Sequence, residues 1–360
     1  MMNINDKYSK IILLILLFFT FVLAATVLKV TSTVAIPLII AILISLVFEP
    51  IIAKLNEKFK IPWILGIFLI ITITAIVIFL LGSLIIASLR KVIEVYPKYE
   101  ERFIYVYENL AKFFNLSYDK NNTLFENLWG QLGIRNIVQS MAITLSSGAI
   151  KFIKDFLMVC LFAVFLLIEM KIFREKLEFA FKSSSKGRIG PMISDIISQV
   201  SRYISVKFYV SLLTGIIVWL GCIIIGVDFP IVHAFLSFIS NFIPTFGSIF
   251  SSVLTCLFAL LQFWPKPLPV IATIILMVGV NMIIGNILEP RIQGKNLGLS
   301  PFVIISSLSI WGWIWGFVGM IIAVPLMVIL KIICENISIL KPVSIILGNK
   351  VPVEKNKLNE

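Results

Sequence analysis

Apolar residues run along this chain in blocks longer than a soluble core uses, and polar residues gather in short connections and two longer stretches. A helix needs about 20 apolar residues to cross a bilayer core. Blocks that reach or approach that length are Ile11–Leu28, Val34–Phe48, Pro62–Leu89, Ile150–Ile168, Phe208–Ile225, Val232–Leu261, Val270–Leu288 and Phe302–Leu330. The second block is short and is expected to continue as a helix past Glu49-Pro50. The pattern predicts an all-α, polytopic membrane helix bundle of about eight spans.

The last third departs from simple spans. Val232–Leu261 and Phe302–Leu330 are each longer than one upright crossing needs, and each is interrupted near its middle. The first breaks at IPTFGS (243–248), where Pro244 and Gly247 interrupt a helix. The second breaks at WGWIWGFVG, with Gly312, Gly316 and Gly319. Aligning Gly247 with Gly316 also matches Ser237 with Ser306 and Ser240 with Ser309. Interrupted apolar segments in corresponding places point to a transporter binding site. Two topologies follow. Either both runs cross once, or both are helical hairpins that turn back, leaving the EPRIQGK loop (289–295) inside.

Two stretches are not membrane. Residues 90–149 mix charges of both signs with aromatics, and Tyr99, Phe103, Tyr107 and Leu110 share one helical face. This reads as an extracytoplasmic amphipathic insert. Residues 171–207 hold eight Lys or Arg against three Asp or Glu, which suits basic helices on the cytoplasmic surface. The predicted organisation is therefore helices 1–3 over 1–89, the insert over 90–149, a fourth span over 150–170 and the basic helices over 171–207. An interrupted-helix core follows over 208–333, with a cytoplasmic tail over 334–360.

Composition and charge sharpen this picture. The chain is 59% hydrophobic and 14% charged, with a mean hydropathy of +1.04, whereas soluble domains are about 25% charged. The net charge of +12 is best explained by Lys and Arg retained on the cytoplasmic side. That rule places Lys54, Lys58, Lys60, the 171–207 stretch and the tail inside, with both termini cytoplasmic. No nucleic-acid motif accompanies the charge. Cys160, Cys222, Cys256 and Cys334 all lie in apolar runs without a CxxC pair, so they read as small apolar residues. His233 is the only histidine, which excludes a histidine metal cluster; it reads as an interfacial residue.

Candidate chemistry centres on Glu289, a carboxylate at the end of an apolar helix. Such groups are costly unless paired or hydrated and are functional candidates. It either takes up a proton or cation, or serves structurally through Arg291 or the headgroups. Asn281, Gly285 and Glu289 fall at i, i+4 and i+8 on one helical face. Asn281 and Asn286 either line a pathway or bond neighbouring helices. Pro244 and Gly247 would free backbone carbonyls near Asn241, and Gly316 occupies the second break. Pro290, Arg291, Gly294, Gly298, Pro301 and Pro325 read as loop-shaping or kink residues. Trp311, Trp313 and Trp315 read as interfacial anchors, and Asp228 and Glu169 as headgroup residues. No HExxH, GxSxG or Walker loop is present, so neither an enzyme nor an ATP-driven pump is expected. No catalytic residue, metal or cofactor is expected.

Three motifs carry a family resemblance: IPTFGS at 243–248, EPRIQGKNLGLSP at 289–301 and WGWIWGFVGMIIAVP at 311–325. With LIEMKIFREKL at 167–177 as a looser match, the chain resembles the autoinducer-2 exporter family, the PerM-like permeases. It departs from the family's PYIGP-like element at Thr245 and Ser248, and lacks the Asp-Gly usual at the fourth-span exit. The resemblance implies a bacterial inner-membrane permease with both termini inside. It also implies export of a signalling molecule or, in some members, sodium/proton antiport. The expected partners are a small polar solute, sodium or proton, and membrane lipid, but not nucleic acid. Self-association into a homo-oligomer is an open reading. The alternatives to a gradient-driven, alternating-access permease are a sodium/proton antiporter and a non-transporting membrane scaffold.

Overall fold

The computed structural model describes residues 4–113, 152–170, 172, 176, 189–293 and 298–349. Among them the chain is helical almost throughout, and the only β feature is an isolated antiparallel bridge between Leu299 and Gly348. The helices are α1 (Ile4–Val30), α2 (Ser32–Phe59), α3 (Trp63–Phe113), α4 (152–170), α5 (Ile189–Ile225), α6 (Pro230–Ser240), α7 (Phe246–Phe263) and α8 (Pro267–Val280). A π-helical stretch, Asn281–Leu288, continues α8 into the short α9 (Glu289–Gln293). Then come α10 (Pro301–Asn336), a 3₁₀ turn (Ser338–Leu340) and α11 (Lys341–Leu347). Proline opens α6, α8 and α10, where its missing N–H has no intrahelical partner to lose and its fixed φ suits the first turn. Among the described residues, six helices are long and apolar enough to cross a membrane. As expected, α2 runs on through Pro50 to Phe59.

The chain divides into two compact units. One comprises Met1–Lys54, Met158–Arg202 and Lys295–Glu360; the other comprises Leu55–Leu157 and Tyr203–Gly294.

In the second unit, the long 232–261 run is a helical hairpin. Legs α6 and α7 are joined at 241–245, and the turn bends through Thr245 at φ 64°. The legs touch along their length. His233 Nδ1 lies 3.1 Å from Thr255 Oγ1, and the Phe229 and Phe258 rings meet at 5.9 Å. Gly247 permits this closeness, because a Cβ there would sit 1.6 Å from the Ser240 carbonyl oxygen. His233 is thus buried within the hairpin. The unit's core is formed by Val206, Val210, Val218 and Cys222 of α5 with Val227, Met277, Val280 and Ile284.

In the first unit, α10 is also a hairpin. Trp315 (φ −125°, ψ 16°) and Gly316 (φ 61°, ψ −140°) leave helical space. The Ser307 hydroxyl donates to the Ala323 carbonyl at 3.3 Å. In a straight helix those groups would be about 24 Å apart at 1.5 Å per residue. The close approach is at Gly319, where a Cβ would meet the Trp311 carbonyl oxygen at 1.9 Å. The packing counterpart of Gly247 is therefore Gly319, and Gly316 makes the turn itself. Trp315 is buried and its indole N–H donates to the Leu28 carbonyl of α1 at 2.8 Å, while Trp313 is exposed beneath Lys29. Only one of these tryptophans thus has an exposed anchor's setting.

Candidate functional site

α5 carries a polar file through an otherwise apolar helix. Tyr203, Lys207 and Ser211 are spaced four apart and Thr214 three further on, so they share one face. All four are buried. The helix runs unbroken from Ile189 to Ile225, so Lys207, which the charge pattern groups with a basic surface stretch, lies within it. Its ammonium faces Glu289: Lys207 Nζ and Glu289 Oε1 are 2.6 Å apart, with side chains 5% and 15% exposed.

The same ammonium donates to the Asn241 carbonyl at 3.0 Å. Asn241 is the residue at which α6 ends. The last carbonyls of a helix have no intrahelical partner and carry the negative end of its dipole. A cation placed there satisfies an otherwise orphaned backbone group. The Asn241 side chain donates to Ser211 Oγ at 3.0 Å, fixing the hairpin turn to α5 one turn beyond Lys207. Lys207 thus joins the carboxylate that begins α9 to the backbone at the hairpin's turn.

The expected site residues separate into groups. Glu289 and Asn241 meet through Lys207, whereas Arg291 is exposed. Asn281 takes a different partner from Glu289: its amide donates to Ser252 Oγ of α7 at 2.7 Å, with the Ser248 carbonyl at 3.5 Å. Asn286 is exposed, and the space where a Gly285 Cβ would lie is open. Between them the backbone is π-helical, a wide turn often found at functional sites. Pro244 lies in the turn between α6 and α7, with Gly247 just after it. Gly316 belongs to the other unit, at the turn of the α10 hairpin.

Pro290 and Pro301 sit near helix starts, and Pro325 lies inside the second leg of α10. Gly298 has φ 67° and its carbonyl accepts from the Asn349 N–H at 3.0 Å. Gly294 lies outside the described residues.

Elsewhere in the second unit, α3, which runs unbroken from Trp63 past residue 90 to Phe113, is fastened to the hairpin. The Tyr99 hydroxyl donates to Asp228 Oδ2 at 2.5 Å, and the Tyr99 ring packs on Phe229 and Phe258. Gln262 spans the same turn: its carbonyl accepts from the Asp228 N–H and its amide donates to the Gly226 carbonyl, both at 2.8 Å. Burial, reinforced by the Asp228 carboxylate, pushes the Tyr99 phenol well above its ordinary pKa. Asp228 is therefore a latch partner rather than a free headgroup residue. The side chains of Phe103, Tyr107 and Leu110 lie outside the described ones.

Known proteins bear on what this arrangement belongs to. "Putative transport protein" of Borreliella burgdorferi is 32% identical over 320 residues, covering 89% of this chain and 86% of that protein. "Putative transport protein YhhT" of Escherichia coli K12 is 28% identical over 346 residues, covering 95% of each. "AI-2 transport protein TqsA" of the same strain is 26% identical over 324 residues, covering 88% of this chain and 90% of its own. The sequence model of the AI-2E family transporter matches residues 11–339. That match takes in every apolar block, the Lys207–Glu289 pair and both hairpins, and the chain accordingly belongs to the AI-2E transporter family, a family of multi-pass membrane transport proteins.

Proposed function

We propose that this protein is a gradient-driven permease that moves a small polar solute across the bacterial inner membrane by alternating access. Autoinducer-2 is the first solute to try, because TqsA is named for it. The observation that carries this reading is the ion pair at the turn of a helical hairpin. Irregular backbone at membrane depth is tolerated where it is packed in protein or lines a cavity, and intramembrane carboxylates mark ion and substrate pathways. Glu289 exchanges Lys207 for a proton or cation, the ammonium's hold on the Asn241 carbonyl changes with it, and the hairpin turn moves. With both long runs folded back, the EPRIQGK loop falls on the N-terminal side. The positive-inside rule makes that side cytoplasmic and places the C terminus there too.

Vesicle flux of autoinducer-2 in the wild type and in E289Q tests the proposal. The Gln side chain keeps an acceptor for Lys207 but cannot exchange a charge, so flux is lost while the protein remains inserted. Full flux in E289Q sinks the role of Glu289. Sodium/proton antiport is the second reading, favoured because a carboxylate and a main-chain carbonyl are hard-cation ligands. Collapse of a pH gradient on adding sodium, without solute flux, would select it. No flux of any solute would select a scaffold.

A further inference from the structure

Tyr203 stands one helical turn before Lys207 on α5, so the two side chains leave the same face. It is 5% exposed, and its hydroxyl is buried without a hydrogen-bond partner among the described residues. It lies within electrostatic reach of the Glu289 carboxylate. Buried phenol hydroxyls almost always find a partner, so an orphan beside an ion pair needs an explanation. Lys207 supplies one, since its ammonium already occupies Glu289 Oε1.

We infer that Tyr203 is a positioning residue for a second state of the site, in which its hydroxyl replaces the Lys207 ammonium as the hydrogen-bond partner of Glu289. The inference rests on the reading of Glu289 as the group that changes state. An ionised carboxylate only accepts hydrogen bonds, whereas the neutral acid both donates and accepts. A phenol hydroxyl also does both, so it matches the neutral acid well. In the step, Glu289 gains one proton from water and Lys207 keeps its own. The pair's net charge changes from zero to +1, and the ammonium retains the Asn241 carbonyl. Tyr203 then holds the carboxyl in place, so that Lys207 can return when the proton leaves.

Y203F in the purified full-length chain separates this role from a structural one. Phe loses no hydrogen bond present in the ion-paired state, so the thermal unfolding midpoint is unchanged or higher, while maximal flux falls with KM unchanged. K207M removes the counter-charge, and the comparison is run at a pH low enough to protonate Glu289. Its infrared carboxyl band is identified by its loss in K207M/E289Q. Adding Y203F to K207M moves that band to higher wavenumber, as a lost hydrogen bond requires. K207Q serves in the same comparison if K207M does not fold. A lower midpoint in Y203F, or an unmoved carboxyl band, overturns the inference. Full flux in E289Q would instead refute the transport role of Glu289 and leave the band comparison valid.

Discussion

Replacing Lys207 by Met should destabilise the protein far more than replacing both partners. In K207M the Glu289 carboxylate, 15% exposed, loses its only described counter-charge, and the Asn241 carbonyl loses a 3.0 Å donor. Breaking a buried pair from one side costs about 3–5 kcal/mol, because the remaining charge keeps its desolvation penalty without the attraction. Proton uptake by Glu289 would recover part of that loss. In K207M/E289M no charge is left buried, and apolar replacement of such pairs is typically neutral or stabilising by about 1–4 kcal/mol. The Asn241 carbonyl remains unpaired, so the double variant should fall close to wild type. Reversible unfolding of the purified full-length chain in one detergent, run as a double-mutant cycle with E289M, reads the coupling directly. Single-variant losses that add to within about 0.5 kcal/mol would mean that the two groups do not interact, and would refute the pairing.

Other positions give independent tests. G247A drives a Cβ to 1.6 Å from the Ser240 carbonyl oxygen and should cost at least about 1–3 kcal/mol as overpacking, whereas G285A meets nothing within 4 Å; thermal unfolding of the two compares the prediction with its control. G316A places a Cβ at φ 61°, ψ −140°, a region nearly reserved for glycine, and should lose about 1–3 kcal/mol in the same assay, with L-residue tolerance there refuting the hairpin turn. Tyr99 has its folded pKa raised by burial and by Asp228, so its contribution is fully present below the unfolded value of about 10 and is lost as pH rises toward the folded value; Y99F should flatten that alkaline decline in an unfolding series. A single cysteine at Lys295 in a cysteine-free background should label from the cytoplasmic side; outside labelling would refute the proposed orientation.

Much of the fold was legible because a bilayer leaves few choices: long apolar blocks read as helices, and breaks at Pro244 and Gly316 read as departures from straight crossing. The choice between single spans and hairpins was not legible. It is decided by contacts across the turns, such as Ser307 with Ala323 and His233 with Thr255, which no local periodicity contains. Glu289 stood out because a carboxylate in an apolar helix end is rare. Its partner did not, because Lys207 closes a basic stretch and looks like the last residue of a surface. The missed signal was Tyr203-x-x-x-Lys207-x-x-x-Ser211, one polar face continuing into an apolar run. Alignment of the two breaks also slipped: Gly316 resembles Gly247 in sequence, but Gly319 performs its packing role. A turn and a close approach both favour glycine, for different reasons, and sequence alone does not distinguish them.

The hairpin turn and the ion pair explain each other. Ending α6 at Asn241 orphans a carbonyl in apolar surroundings, where an unsatisfied group costs several kcal/mol. Lys207 answers it, but an ammonium buried to 95% then needs a counter-charge, which Glu289 provides. Removing any one member leaves at least one other unsatisfied, so this geometry resists gradual loosening. It can change only by exchanging one partner for another of matching charge or hydrogen-bonding capacity. A proton or cation at Glu289 is such an exchange, because it removes the carboxylate's demand for Lys207 without leaving a bare charge behind. On the proposed reading, a site built this way would have discrete arrangements rather than a continuum, which is the property that coupling a gradient to movement requires.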